Sequence, residues 1–166
     1  MPYHRKGYSV LTIKDLSITR GQGEQSFTVS LPHLSLAEGE VVSLCGSSGC
    51  GKSTLLEMMG LILKPDNLSQ YELSSATLSM DLAPLILSNK QKTLAEIRSK
   101  NLGFMLQNGG LLPFLSVWQN ILLPCQTNGI LADESWLHHL CEKLNINHLM
   151  TKYPKQLSIG ERQRVA

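Results

Sequence analysis

The first part of the chain has apolar and polar residues in alternation. The last part spaces its apolar residues as helices do. Residues 8–45 predict a strand-rich region. Within it Phe27, Val29 and Leu31 alternate with Thr28 and Ser30, the period of a half-buried strand. Gly21, Gln22 and Gly23 mark a turn before that strand. Residues 40–45, Glu-Val-Val-Ser-Leu-Cys, form a short apolar run of buried-strand type. Residues 53–59 contain no breaker and predict a helix. Residues 76–80 alternate again. Residues 64–75 carry Pro, Asp, Asn and Ser and read as a loop or variable insert, and residues 94–98 have a short helical spacing. Beyond Gln107 the texture is helical. Ser116 suits an N-cap, Val117 and Ile121 share a face, and Pro124 stops the run. Asp133 could cap the next helix, where Trp136, Leu137, Leu140, Cys141 and Leu144 make one apolar stripe suited to core packing. His138 and His139 on that helix read as solvent-facing rather than as metal ligands. No internal repeat or low-complexity tract is evident.

Between the apolar run at 40–45 and the helix at 53–59 lie Gly46, Ser47, Ser48, Gly49, Cys50, Gly51, Lys52 and Ser53. They fit G-x-x-x-x-G-K-[ST], the phosphate-binding loop. Glycines let the backbone curl around a triphosphate and turn successive N–H groups inward. The following helix, with Thr54 in its first turn, adds the positive end of its dipole. Lys52 is then placed to reach the β- and γ-phosphates, and the Ser53 hydroxyl to bind Mg²⁺. The order strand, loop, helix is the context this motif requires.

Composition narrows the alternatives. At 166 residues and 42% hydrophobic, the chain suits one domain with a real core. No apolar stretch reaches 18 residues, the length of a membrane span, and the basic N-terminus is not followed by the apolar core of a secretory signal. The four cysteines, at 45, 50, 125 and 141, form no C-x-x-C pair and read as reduced thiols. A net charge of +2, from 15 basic and 13 acidic residues, is too balanced to argue for nucleic acid. Residues 89–92, Asn-Lys-Gln-Lys, approach the guanine-reading N-K-x-D but lack its aspartate, which argues against a GTPase.

Two further stretches carry a resemblance. The chain ends Leu157, Ser158, Ile159, Gly160, Glu161, Arg162, Gln163, Arg164, Val165, Ala166. This is similar to the L-S-G-G-Q signature and Q-R-V-A-type helix of ABC ATPases. Residues 103–107, Gly-Phe-Met-Leu-Gln, resemble the strand leading into that family's Q-loop, and residues 111–121 resemble the stretch after it. The three motifs stand in the family's order. The run Leu-Leu-Pro to Asn-Ile-Leu-Leu-Pro is most like ATPase subunits of lipoprotein-release and macrolide-export transporters.

The resemblance implies an α/β fold: a P-loop, RecA-like core with an N-terminal antiparallel β part and an inserted α-helical subdomain, incomplete at the C-terminus. Residues 1–107 would be the first part of the core, 108–156 the helical subdomain, and 157–166 the signature with the start of its helix. The function implied is the ATP-binding subunit of a transporter, an ATP hydrolase using ATP and Mg²⁺. It would act as a homodimer or with a paired ABC subunit, on the inner face of the cell membrane beside membrane-spanning permease subunits. By resemblance Gln107 binds Mg²⁺ and the attacking water, although a glutamine after a strand can be plain surface. Ser158, Gly160 and Glu161 would meet ATP held by the other subunit. Ser158-x-x-Glu161 is also a capping box, and both readings can hold together. Ile159 departs from the commoner glycine and Glu161 from glutamine, changes that could weaken dimer closure. Arg20 stands where the family often has an adenine-stacking aromatic. A guanidinium plane can also stack on a base, and an exposed turn arginine is the plain alternative. The family's later aspartate, glutamate and histidine have no counterpart before Ala166, so a truncated, non-hydrolysing form is one alternative. A soluble ABC protein of repair or translation is the other. The transported substrate is not encoded in these residues.

Overall fold

The structure is a computed structural model that describes residues 9–23, 26–74 and 79–166. The chain divides into two compact units, Met1–Arg98 and Ser99–Ala166.

The first unit is built on a four-stranded antiparallel sheet in the order β2-β1-β3-β4. The strands are β1 (Ser9–Arg20), β2 (Phe27–Ala37), β3 (Gln70–Ser74) and β4 (Ser79–Asp81). β1 and β2 form a long hairpin whose paired rungs include Leu16 with Leu31, Ile18 with Val29 and Arg20 with Phe27. The period-two pattern of residues 27–31 thus gives the expected strand, with Val29 as its buried rung. Three helices belong here: α1 (Lys52–Met59), α2 (Ala83–Leu87) and most of α3 (Gln91–Asn101). Ile13, Leu16, Ile18, Leu55, Met58, Tyr71 and Leu82 are among the residues that make the core. The Tyr71 hydroxyl donates to the Met59 carbonyl, which ties α1 to β3, and burial pushes its phenol well above the ordinary tyrosine range.

Two expectations are corrected in this unit and one in the residues that follow it. Residues 40–45 are not a strand: they are irregular and exposed, with Val41 at 93% exposure. Residues 103–106 likewise form no strand. The apolar content of both runs is that of buried strands. A strand is a property of a pair, however, and no described residue supplies either run with a ladder partner. Residues 64–75, expected as loop, contain β3, because Tyr71 and Leu73 alternate with polar neighbours and pair with Ile13 and Leu11. Of the alternating run at 76–80, residues 76–78 lie outside the described residues; Ser79 and Met80 belong to β4.

The second unit is helical: α4 (Val117–Thr127), α5 (Glu134–Lys143) and α6 (Ile159–Val165), with single 3₁₀ turns at Asn147–Leu149 and Pro154–Gln156. Its core is Val117, Cys141, Ile146, Leu149, Leu157 and Val165. Ser116 caps α4 as the sequence predicts, accepting from the Gln119 N–H while the Gln119 side chain accepts from the Ser116 N–H. Asp133 caps α5 by accepting from the Trp136 N–H. Hydrogen bonds from Ser135 and Trp136 hold its carboxyl below the usual carboxylate range. Pro124 does not end α4, which continues to Thr127. A proline inside a helix removes one donor, and the turn beyond it closes through Asn128 N–H to Pro124 O at 3.2 Å and Ile130 N–H to Cys125 O at 2.9 Å. The α5 stripe is only partly core: Cys141 is buried, but Trp136 and Leu144 are exposed. His138 and His139 are exposed and stack on Trp118 and Trp136, at centroid distances of 5.3 and 5.6 Å.

Candidate functional site

The phosphate-loop residues sit in the first unit, between the irregular run at 40–45 and α1. Gly51 is the N-cap of α1, with φ of 94°. That left-handed conformation is open to glycine and strained for other residues. Its surroundings are equally demanding, because a Cβ at Gly51 would lie 2.4 Å from Cγ2 of Val29 on β2. Buried Val29 therefore fixes where the loop can lie, a long-range requirement that the motif itself does not express.

No side chain caps α1. The first-turn N–H groups of a helix have no partner within the helix, so an uncapped start presents donors and a positive dipole end to an anion. Lys52 curls back over the loop. Its Nζ donates to the carbonyls of Gly46 at 2.9 Å and Ser47 at 2.7 Å, and lies 3.6 Å from the Cys50 sulfur. Ser53 is exposed in the next position, Thr54 half-buried. A cavity of about 280 Å³ lies against the loop, lined by Thr28, Val29, Ser30, Cys45, Cys50 and Lys52 among others. All four cysteines are free thiols: Cys45 and Cys50 are exposed, Cys125 half-buried and Cys141 buried. Arg20 is exposed at the far end of β1, opposite Phe27.

The remaining sequence-predicted residues belong to the second unit. Gln107 is exposed, and its carbonyl accepts from the Gln163 side chain of α6 at 3.2 Å. Gly109, φ 85°, lies so close to α6 that a Cβ there would sit 3.0 Å from the Arg162 carbonyl. Gln107 and the signature stretch are thus neighbours, 56 residues apart in sequence. Asn120 orders the turn between them and α4, accepting from the Leu112 N–H and donating to the carbonyls of Leu112, Leu115 and Ser116. The capping box at Ser158 is present. Ser158 N–H donates to a Glu161 carboxylate oxygen at 2.7 Å, and Glu161 N–H donates to Ser158 Oγ at 3.2 Å. The bonds from Ser158 hold the Glu161 carboxyl below the usual carboxylate range, with Lys152 and His148 adding to the effect. Arg162 fastens the start of α6 by donating to the carbonyls of Leu157 at 2.8 Å and Pro154 at 3.3 Å. Sequence reasoning missed Val29, Arg162 and Gln163, whose roles exist only once distant segments meet.

Comparison with known proteins gives the family. The family model described as ABC transporter matches residues 30–166. The lipoprotein-releasing system ATP-binding protein LolD of Cytophaga hutchinsonii is 36% identical over 138 residues, 80% of this chain and 57% of that protein. An uncharacterized ABC transporter ATP-binding protein, YvrO of Bacillus subtilis, is 33% identical over 161 residues, 95% of this chain and 66% of that protein. Among solved structures, a dimeric post-hydrolysis state of the ATP-binding cassette MJ0796 bound to ADP and Pi matches with a TM-score of 0.72 at 28% identity. It covers 93% of this chain and 66% of that one. The chain spans less than two thirds of the length of several of these relatives. With its phosphate loop, signature stretch and the match to residues 30–166, the chain belongs to the ABC transporter family.

Proposed function

We propose that the chain is the ATP-binding part of an ABC transporter subunit, which couples ATP binding and hydrolysis to transport by membrane-spanning permease subunits. The observation that carries this reading is the uncapped start of α1 with Lys52 folded over the loop carbonyls. The uncapped first turn offers N–H donors and the positive dipole end, and Lys52 on the same turn offers a cation. Gly46, Ser47, Ser48, Gly49, Cys50, Gly51, Lys52, Ser53 and Thr54 would hold the triphosphate. Ser53, exposed beside Lys52, fits a magnesium ligand, and Gln107 would complete the metal and water contacts. The ion would neutralise charge developing on the phosphates. Arg20 would lie under the adenine. Ser158, Gly160 and Glu161 would act on nucleotide held by a second copy or a paired subunit; that a similar cassette, MJ0796, is dimeric supports the pairing. No helix among the described residues is long and apolar enough to cross a membrane. We place the protein on the cytoplasmic side, held there by its permease.

Two experiments test this. With a non-hydrolysable ATP analogue, Ser158→Arg is expected to abolish nucleotide-driven dimerisation seen by light scattering while leaving nucleotide binding to the monomer intact. A normal dimer would reduce the signature to a helix cap. Maleimide labelling with mass mapping is expected to modify exposed Cys50 faster than Cys125 or Cys141. Burial of Cys141 raises its thiol's pKa and slows it further. MgATP should protect Cys50, and equal labelling with and without nucleotide would remove the loop assignment.

A further inference from the structure

We propose that Cys45 and Cys50 are a peroxide-sensitive thiol pair, which on oxidation joins in a disulfide that closes residues 46–53 to a triphosphate. The closing half of this inference rests on the reading of those residues as a triphosphate loop; the thiol chemistry stands apart from it. The motif leaves position 50 open to any residue and does not reach position 45, so it requires neither cysteine.

Two thiols share one small space. Cys45 and Cys50 are both exposed, and both line the cavity of about 280 Å³ against the loop. The chain turns back between them, with the Cys50 N–H donating to the Ser47 carbonyl at 3.4 Å. That turn folds the Cys50 side chain onto Gly46, where a Cβ would lie 2.7 Å from Cys50 Sγ. Gly46 is the residue next to Cys45. Neighbouring Cα atoms are about 3.8 Å apart, so the Cys45 Cα lies within about 8 Å of Cys50 Sγ. A disulfide holds its Cα atoms about 4.4–6.8 Å apart, so bond formation fixes the spacing of residues 45 and 50. The loop is free to adopt that spacing. Residues 40–47 belong to no strand, residues 40–50 are exposed throughout, and Gly49 has open space where a Cβ would be.

The chemistry divides between the two sulfurs. Lys52 Nζ lies 3.6 Å from Cys50 Sγ, placed to hydrogen-bond an oxygen departing from it. The Cys50 sulfur attacks one oxygen of hydrogen peroxide. The O–O bond breaks, and the departing hydroxide leaves as water with the thiol's proton. The Cys45 sulfur then attacks the sulfenic acid formed on Cys50. The S–S bond forms, the S–O bond breaks, and the second hydroxide leaves as water with the second thiol's proton. Two thiols are oxidised by two electrons, and one peroxide is reduced to two waters. The product is a closed ring of residues 45–50. It contains the N–H groups of residues 47–50, which a phosphate needs turned inward together. The bond also keeps both sulfurs in the cavity that Lys52 lines. A reducing dithiol reverses it by exchange.

The test treats the reduced 166-residue chain with a small excess of hydrogen peroxide. Thiols are then mapped by mass without reductant, and MgATP is titrated calorimetrically. No lysine or arginine lies between Arg20 and Lys52, so trypsin releases both cysteines in one peptide, residues 21–52. That peptide is expected to lose two hydrogen atoms while Cys125 and Cys141 keep their thiols. The share of chains that bind MgATP should fall in step with the disulfide and recover with dithiothreitol. MgATP added beforehand should slow the oxidation. Cys45→Ser should bind MgATP as the wild type does before oxidation, and afterwards carry a sulfenic acid on Cys50 that dimedone traps. If the peptide keeps both thiols, or links two chains instead, the pair is overturned. If the disulfide forms and MgATP binds as before, the closing of the loop is overturned and the loop reading stands. If the reduced wild type does not bind MgATP, the loop reading fails and the closing with it, whatever the mass map shows.

Discussion

Lys52→Ala is expected to lower the affinity for MgATP at least tenfold while leaving thermal unfolding unchanged. A charge-assisted hydrogen bond contributes about 1.5–3 kcal/mol, and 1.4 kcal/mol is already a factor of ten. The lysine is not idle without nucleotide, because its Nζ donates to the carbonyls of Gly46 and Ser47. Binding therefore exchanges these bonds for bonds to phosphate. The exchange favours phosphate for two reasons. The carbonyls are exposed and water replaces the lost donor. The phosphate carries full charge, whereas the carbonyls are dipoles. The same exposure explains why stability should not move: no buried acceptor is left without a partner. Calorimetric titration beside a melting curve checks both halves. Equal affinities for the two proteins would remove Lys52 from the site, and a large fall in melting temperature would make it a structural residue.

Local physics made the phosphate loop legible. Eight consecutive residues specify its glycines, its lysine and the helix it opens, and the structure keeps that order. The helix caps were legible for the same reason. Ser116, Asp133 and Ser158 each bond within three residues of themselves. What the sequence hid depends on partners far along the chain. Residues 40–45 have the composition of a buried strand, yet burial needs neighbouring strands that a local pattern cannot supply. β3 was hidden within a segment rich in Pro, Asp and Asn. Its pairing with β1 across more than fifty residues decides its structure, not its flanks. Pro124 misled in the opposite sense, since one missing donor is tolerable when the next turn closes without it. Arg20 was read as a base-stacking candidate or an exposed turn arginine, and only the register shows it at the end of β1 opposite Phe27.

Gly51→Ala is expected to be the most damaging single-methyl change in the first unit. Two costs add. At φ 94° a side chain costs about 1–2 kcal/mol. The new Cβ would also meet Val29 Cγ2 at 2.4 Å. Val29 is buried and β-branched, so it cannot swing aside, and overpacking of this kind costs about 1–3 kcal/mol. Together that is a sizeable part of the roughly 5–15 kcal/mol that holds a domain folded. The loop would yield before the sheet does, because its residues are exposed while Val29 sits in a paired strand. MgATP affinity should therefore fall along with stability. A second substitution separates the two costs. Val29→Ala alone opens a cavity and destabilises. In the double variant the new methyl occupies part of that space, so the two changes should cost less than their sum, by about 1–2 kcal/mol of coupling. The backbone cost at Gly51 remains, and the double variant should not regain wild-type stability. Denaturant titration of the four proteins measures the cycle. Strict additivity would mean that Val29 does not confine the loop, and full recovery would mean that φ at position 51 carries no strain.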